Sequence, residues 1–541
     1  MFSKNNATFG AGILLQHAKG YVSNCSFLEN RARQGGAIRL NTAFLDISNS
    51  SIANNVADFD GGMISLVSMS TVNISDCRVQ NNTAGAGGAL RAVDNSQVYI
   101  RASIFTGNRA TLNGGTLLIY WKAKLFVSDS VFYNSQGMGS GGSIAVEAES
   151  YAYLNNIFIY NSFAPYGGAL EVIAFSELIV KNSNFIDIEA GSKGGLLYFT
   201  QSMVTLINTK VEGSVSKNTG GIYLCENSQF SISNSNHSKS QSGTGGAINS
   251  LLCNITLSRA CFSQSVSRIG GALYSIEGTL QMDHCEFEYN EANFGGAIHA
   301  DAVHIQGSFN NFHHNQAQFY GGAMSLVDST YTSYSETYDN NRVKDGTGGA
   351  LYIEGTHDIS VAGAVNSSIL MRNAKFTSNN VSTCGAAMYI FRSFSYFHSS
   401  VFSKNRGLSC GALHALDSIL EIRQSKFENN AAMNSGAAGV EAEDNTKRNS
   451  ILSPAISFEN VSFIKNYGHL SGAINSLGIK TSINFCYFRE NNAFNGYGGA
   501  IKVDHNSVLD VIHSTFLSNS AKFGPGFAIF ISLYIFLHNC I

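Results

Sequence analysis

Acidic residues recur six or seven positions after the first glycine of repeated Gly-Gly pairs, and this pattern could bind a cation. Glu147 and Glu226 are two early examples. Four more follow in consecutive repeats: Glu277, Asp301, Asp328 and Glu354. Carboxylates stacked about 5 Å apart would repel one another unless water or a cation lay between them, so the second group predicts a weak calcium-binding ridge. The alternative, which we favour, is that these acids open turns through side-chain-to-backbone hydrogen bonds.

Two cysteines have the spacing of a disulfide between neighbouring repeats. Cys384 and Cys410 are one repeat apart, and each is predicted to replace the first glycine of a pair. Equivalent positions in adjacent repeats would place their Cα atoms about 5 Å apart, within the range that a disulfide accepts. Such a bond would indicate an oxidising compartment. Two small stacked thiols at a tight corner are the alternative.

Five histidines are concentrated in one short region, where they could form a metal site. They are His284, His299, His304, His313 and His314. When the repeats are aligned on their glycines, only His313 and His314 come close to one column, and their side chains are predicted to point to opposite faces. We therefore predict scattered surface histidines, with no metal and no cofactor.

These residues are carried by a repeat of about 26 residues, as in FEYNEANFGGAI at 287–298. Each repeat contains short runs of alternating apolar and polar residues, separated by Asn, Ser and Gly, which is typical of short strands. Three such strands in each repeat predict one rung of a right-handed parallel β-helix, with about twenty rungs in all. The positions chosen to represent the repeat are Phe27, Asn30, Gly35, Gly36, Phe287, Asn290, Gly295, Gly296, Phe312, Asn315, Gly321, Gly322, Phe427, Asn430, Phe488, Asn491, Gly498 and Gly499.

Stacking of the repeats explains their constant residues. Every position forms a column of like side chains, so the Phe column is predicted to point inward and stack ring on ring. Asn is predicted to adopt a left-handed φ where the chain leaves a strand, with its amide bonding along the column. The glycine pair marks a corner where a Cβ would clash or φ must be positive.

The whole chain is predicted to be one β-helical domain, 1–541, incomplete at its N-terminal end. Insertions are predicted near 356–366 and 442–454, and an apolar segment at 527–541. No signal peptide or membrane anchor is recognised, and an uncapped first rung predicts end-to-end self-association. Only 13% of the residues are charged and the net charge is −3, which gives no basis for binding nucleic acid.

The combination of Gly-Gly-Ala-Ile and Phe-x-x-Asn in one repeat resembles the polymorphic outer membrane proteins of chlamydiae, over essentially the whole chain. That resemblance implies a secreted β-helical passenger with adhesive or surface-coat roles. Those bacterial proteins also have a signal peptide and a C-terminal membrane barrel, which are not recognised here.

Pectin-acting enzymes provide the alternative function, because many of them are right-handed β-helices. The Asn-Thr-Asp, Asp-Asp and Gly-His-Gly sequences of the hydrolases do not occur in this chain. We therefore predict a protein that is not an enzyme: an adhesin-like or structural rod, extracellular or at the cell surface. Its predicted partners are glycans or proteins of host or neighbouring cells.

Overall fold

The computed structural model describes residues 1–356, 367–442, 454–504, 507–523, 528–531 and 534–540. These residues form short strands joined by turns, and none of them forms an α-helix. They divide into two compact units, Met1–Val266 and Ser267–Ile541. In each unit the strands pair in parallel with the equivalent strands one turn before and one turn after. The predicted all-β parallel solenoid is therefore confirmed.

Parts of the predicted domain plan lie outside the described residues. Both predicted insertions do so almost entirely, at 357–366 and 443–453, as does part of the predicted apolar segment, at 527, 532–533 and 541. Within the segments that the structure describes, no helix is long and apolar enough to span a membrane.

Each turn is built from very short strands, and many turns have one strand more than predicted. In the first unit a representative turn contains Ile38–Asn41, Phe44–Ser48, Ser51–Ala53 and Val56–Asp60. In the second unit a representative turn contains Ile298–Asp301, His304–Ser308, Asn311–His313 and Gln316–Tyr320. The fourth strand precedes the glycine pair and pairs in a separate, narrower sheet.

The aromatic column of the repeat forms the centre of the core. The rings of Phe287 and Phe312 are parallel with centroids 4.9 Å apart, and Tyr338 continues the stack at 5.0 Å. In the first unit Phe105 and Phe132 stack in the same way at 4.8 Å. All five rings are fully buried. Each such ring pair contributes about 0.5–1.5 kcal/mol beyond the burial of its apolar area.

The asparagine column forms a second ladder beside the aromatic one. Asn30 is fully buried, and both its backbone N–H and its Nδ2 donate to Oδ1 of Asn55, at 3.0 and 2.9 Å. The Nδ2 also donates to the carbonyl oxygen of Phe2. The left-handed residue at this bend is Glu29 (φ 54°), one position before the asparagine. The amide thus acts mainly as a bridge between turns, because it satisfies buried backbone groups there.

The two glycines of each pair have different roles. Gly295 has a φ of 61°, which L-amino acids rarely adopt. A Cβ on Gly296 would overlap the carbonyl oxygen of Gly322 in the next turn, far inside the 3.0 Å that real Cβ contacts respect. The first glycine is therefore required by its backbone conformation, and the second by the close approach of consecutive turns.

Candidate functional site

Two carboxyl groups lie in contact on consecutive turns of the first unit. Glu147 ends the strand Ile144–Glu147, and Glu171 lies in the next turn, on Leu170–Ile173. In the strand register Glu171 is opposite Ala145, so the two acids are diagonal neighbours. Their carboxyl groups share a hydrogen bond.

Neighbouring polar groups hold both acids in place. Ser140 Oγ donates a hydrogen bond to Oε2 of Glu171, and Asn113 Nδ2 donates to Oε1 of Glu147 at 2.9 Å. Glu171 is only 4% exposed, whereas Glu147 is half-buried. Glu147 is therefore the acid of the pair that a bound molecule can reach.

The environment of the pair changes the pKa of Glu171. Burial, with a further contribution from the nearby Glu147 carboxylate, raises the pKa of Glu171 to about 8. At neutral pH Glu171 therefore holds a proton, beside the more exposed Glu147. A carboxylic acid in contact with a second, more accessible carboxyl group can pass its proton toward a substrate, as general acid–base catalysis needs.

A tyrosine and an ion pair lie beyond this carboxyl pair. Tyr198 follows Glu171 in the same column, and its hydroxyl donates to Oε2 of Glu226 at 3.2 Å. The ammonium group of Lys193 lies 3.4 Å from the other oxygen of Glu226. Burial and the Glu226 charge raise the pKa of Tyr198 above its ordinary value, so the phenol is a neutral donor. The ring of Tyr166 lies 6.0 Å from that of Tyr198 and extends this polar surface.

A groove of about 530 Å³ runs across the strands Thr71–Ser75, Gln97–Arg101 and Lys124–Tyr133 of the same unit. An outward column of side chains forms its floor: Asn73, Tyr99, Phe126 and Tyr153, on consecutive turns. The rings of Tyr99 and Phe126 stack with centroids 5.0 Å apart. The floor of the groove is thus a largely aromatic strip on the outer face of the sheet.

One ring of this strip has an open face. Phe126 covers one side of the Tyr99 ring, but the residue on the other side is Asn73, whose side chain is too short to cover a phenol. Tyr99 is 39% exposed. Asp46 and Arg101 also line the groove and supply a charged acceptor and donor. Arg101 is on the strand of Tyr99, and Asp46 is beyond Asn73 in the same column. A flat, partly apolar ring with hydroxyl groups at its edge fits this combination.

The predicted acidic ridge is divided between two columns. Asp301 and Glu354 share a column with apolar residues, whereas Glu277 (φ 53°) and Asp328 (φ 44°) occupy left-handed turn positions. Asp328 accepts hydrogen bonds from the backbone and hydroxyl of Thr356. Burial and the charges of Asp328 and Glu277 raise the pKa of Asp301. These contacts favour the turn interpretation over a cation ridge.

The predicted disulfide between Cys384 and Cys410 is not formed, and both residues are free thiols. The strand register makes Gly385 (φ 65°), not Cys384, equivalent to Cys410. Cys384 is therefore one position out of register, and a shift of one residue turns a side chain to the other face. The Cys410 sulfur points instead toward the next turn, where a Cβ on Gly439 would overlap it.

A disulfide forms elsewhere, between Cys225 and Cys253, whose Cα atoms are 6.4 Å apart. Cys225 points into the core from the strand after a glycine pair, and Cys253 occupies the corner position that Ser228 fills one turn earlier. The sequence signal for this bond was a cysteine replacing a serine that recurs at the corner. Cys225 and Cys253 are not at equivalent positions of the repeat, so aligning the repeats does not identify this bond.

Sequence reasoning also missed the residues that complete the candidate sites. Glu171 and Tyr198 are both at the fourth position after the first glycine of a pair, a regularity that could have identified them. Tyr99, Phe126 and Tyr153 recur at intervals of 27 residues, and that spacing marks an outward aromatic column.

Comparisons with known proteins support the fold. Residues 1–132 match the family model described as a right handed beta helix region. Two solved structures of the PL6 family alginate lyase AlyGC, one of them a point mutant, are each 10% identical and match 98% and 99% of this chain and 98% of theirs. Their TM-scores are 0.19 for the unmutated enzyme and 0.25 for the mutant. No curated protein sequence matches the chain.

These findings correct one prediction and leave others open. The expectation that the chain is not an enzyme is contradicted, because the two matching structures named above are of an alginate lyase, an enzyme. At such low TM-scores the likeness transfers neither a substrate nor a catalytic residue. The narrower resemblance to polymorphic outer membrane proteins stays a prediction, as do the adhesin-like role, the protein partners and end-to-end association. What the family model supports is a right-handed β-helix fold, matched over residues 1–132.

Proposed function

We propose that the first unit binds a polysaccharide chain along the groove that contains Tyr99. The observation that carries this proposal is the open face of the Tyr99 ring, in a groove that Asp46 and Arg101 also line. The apolar face of a pyranose ring can pack on an aromatic ring, while its hydroxyl groups bond to polar side chains at the edge. The repeated strands offer similar positions on consecutive turns, which suits a polymer of repeated sugar units.

An extracellular location is proposed with this function. The disulfide between Cys225 and Cys253 supports it, because structural disulfides persist mainly in oxidising compartments. Polysaccharides that a β-helix could bind along several turns are abundant at cell surfaces and in extracellular matrices.

Replacing Tyr99 with alanine is expected to weaken polysaccharide binding by about tenfold or more. The loss of an aromatic contact that becomes buried on binding costs more than about 1.4 kcal/mol of binding free energy, and that amount corresponds to a factor of ten in Kd. Binding is measured by affinity electrophoresis through gels containing polygalacturonate, carboxymethylcellulose or neutral galactomannan. Retarded migration of the wild-type chain in at least one gel, and its loss in the variant, is the expected result.

Phe59 provides a matched control, since it is an exposed aromatic residue of the same unit on Val56–Asp60, a strand of the separate, narrower sheet. The Phe59→Ala chain should bind as the wild type does. Equal retardation of the Tyr99→Ala and wild-type chains would refute the groove as the binding site. Normal migration of the wild-type chain in every gel would count against polysaccharide binding itself.

A second candidate function, carbohydrate cleavage, is favoured by the contact between Glu147 and Glu171. The buried Glu171 holds the proton, and the more exposed Glu147 exchanges it with a bound sugar. Cleavage of a glycosidic bond requires that a proton reach the departing oxygen. Because the two carboxyl groups are in direct contact, the pair would act as one proton donor, not as the two separated carboxyl groups that flank the bond in most glycosidases. The neutral hydroxyl of Tyr198, one turn away, donates to Glu226 and can still accept a hydrogen bond from a bound sugar.

If the chain cleaves a polysaccharide, Glu147→Gln is expected to lower the rate by about 10²-fold or more, the usual contribution of a positioned acid–base group. Activity of the wild type should decrease as pH rises through about 8, because the shared proton is then lost from Glu171. The rate is measured by release of reducing ends from the same three polymers. An unchanged rate in Glu147→Gln would exclude a catalytic role for this carboxyl pair. Glu149 is an exposed neighbour, so Glu149→Gln serves as the control and should keep the wild-type rate.

A further inference from the structure

Two glutamates and a histidine converge on the surface of the second unit. Glu286 and Glu288 lie two residues apart on the strand Glu286–Glu288, and His313 lies opposite Glu288 on the next turn. His313 Nε2 is 2.9 Å from a carboxylate oxygen of Glu286 and 3.8 Å from one of Glu288. The three potential ligand atoms all lie within 4.8 Å of one another. They form the only such group among the residues that the structure describes.

The spacing suits a small divalent cation. Zn²⁺ binds histidine nitrogen at about 2.0–2.1 Å and carboxylate oxygen at about 2.0–2.2 Å, so its ligand atoms lie roughly 3–4 Å apart. The three ligand atoms, within 4.8 Å of one another, are already close to that spacing. Two neighbouring carboxylates repel each other, and a bound cation would remove that repulsion.

A second histidine orients the first. His313 Nδ1 lies 3.3 Å from Nδ1 of His314, and the His314 ring stacks on Tyr289 with centroids 4.9 Å apart. When His313 donates its Nδ1 proton to His314, its Nε2 carries a lone pair directed at the carboxylates. Ligating histidines commonly have such a partner on the other ring nitrogen, which fixes the tautomer and the ring orientation.

We propose that Glu286, Glu288 and His313 bind a zinc-like transition-metal ion, with solvent completing its coordination. The mixed nitrogen and oxygen donors select Zn²⁺ over Ca²⁺ and Mg²⁺, which prefer oxygen ligands alone. The ion joins two consecutive turns, so its binding stabilises the strand pairing between them. The site shares no residue with the proposed polysaccharide groove. It also departs from the expectation of scattered histidines without a metal.

The proposal is tested by equilibrium dialysis of the full chain against ZnCl₂, followed by measurement of the bound zinc. We expect one site with a micromolar Kd that survives a large excess of CaCl₂. His313→Ala, and the double variant Glu286→Gln with Glu288→Gln, should each lose that site. His314→Asn should keep it with an affinity on the order of tenfold lower, as second-layer partners of metal ligands usually contribute.

His304 provides the matched control, because it is an exposed histidine on a neighbouring strand whose Nδ1 contacts Thr330. The His304→Ala chain should bind zinc as the wild type does. Thermal unfolding, followed with and without ZnCl₂, verifies that each variant folds and should show a zinc-dependent rise in midpoint that His313→Ala abolishes. No zinc binding by the wild type, or equal binding by His313→Ala, would overturn the proposal.

Discussion

Alanine in place of Gly296 is expected to destabilise the second unit by about 4 kcal/mol or more, among the largest effects of a single substitution. The added Cβ would overlap the carbonyl oxygen of Gly322 and the backbone of Gln316, neither of which is a flexible side-chain end. Relief requires that consecutive turns move apart, and every strand pair around the turn resists that movement. The added methyl group gains no compensating contact.

Urea unfolding followed by circular dichroism measures the overall loss. Because a solenoid can unfold locally, hydrogen exchange should also be followed for the strand Gln316–Tyr320, where protection should fall first. The matched control is Gly191→Ala, whose Cβ would lie 3.5 Å from Phe163 and Pro165, an ordinary contact. Its stability should change by less than about 1 kcal/mol. Equal stability of Gly296→Ala and Gly191→Ala would contradict the close-approach argument.

The repeat made the fold predictable because each constant residue has one physical reason at every turn. Phe287 and Phe312 are both aromatic since their rings stack, and Gly296 and Gly322 are both glycine since their backbones touch. A solenoid needs only such nearest-neighbour rules. Sequence alone could therefore specify the strand period, the inward column and the corners.

The strand register cannot be determined by counting residues across an insertion. The distance from Gly348 to Cys384 is 36 residues, so nothing in the sequence says which residue resumes the corner. Pairing of Leu351 with Met388 resolves it, and makes Gly385 the corner residue. The predicted partner of Cys410 was consequently one position off, although the cysteine spacing itself matched the repeat.

The candidate sites depend on contacts between residues at different positions of consecutive turns. Aligning equivalent positions of the repeat does not reveal such diagonal contacts. Glu147 belongs to the acidic column noted in the sequence, but its partner Glu171 lies one turn further and in the adjacent column. The burial that raises the pKa of Glu171 comes from the neighbouring turns. Similarly, the sequence groups His313 with the other histidines of 284–314, whereas its close neighbours in the structure are Glu286 and Glu288.

Asn341→Ala is expected to destabilise the second unit by about 3 kcal/mol or more, because each buried polar group left without a partner costs about 1–3 kcal/mol. The Nδ2 of Asn341 donates to the carbonyl of Phe312 at 2.9 Å and to Oδ1 of Asn379 at 3.1 Å. Its Oδ1 accepts from both the backbone N–H and the Nδ2 of Asn315, each at 3.1 Å. Alanine removes all four bonds and leaves the buried partner groups of Asn315, Phe312 and Asn379 without them.

Two further variants distinguish the contribution of the asparagine ladder from general effects of substitution. The first is Asn311→Ala, at an exposed strand position of the preceding turn, which should change the free energy of unfolding by less than about 0.5 kcal/mol.

The second variant, Asn341→Asp, keeps the acceptor oxygen but replaces the donor by a buried carboxyl group. Burial raises the pKa of that group above the usual value of about 3.9. Its stability relative to wild type should therefore be greatest in acid, where the protonated group can donate, and should fall as pH rises through the raised pKa. Urea midpoints at several pH values measure this dependence. If Asn341→Ala were no less stable than Asn311→Ala, or if Asn341→Asp tracked the wild type at every pH, the asparagine ladder would have no major role in holding consecutive turns together.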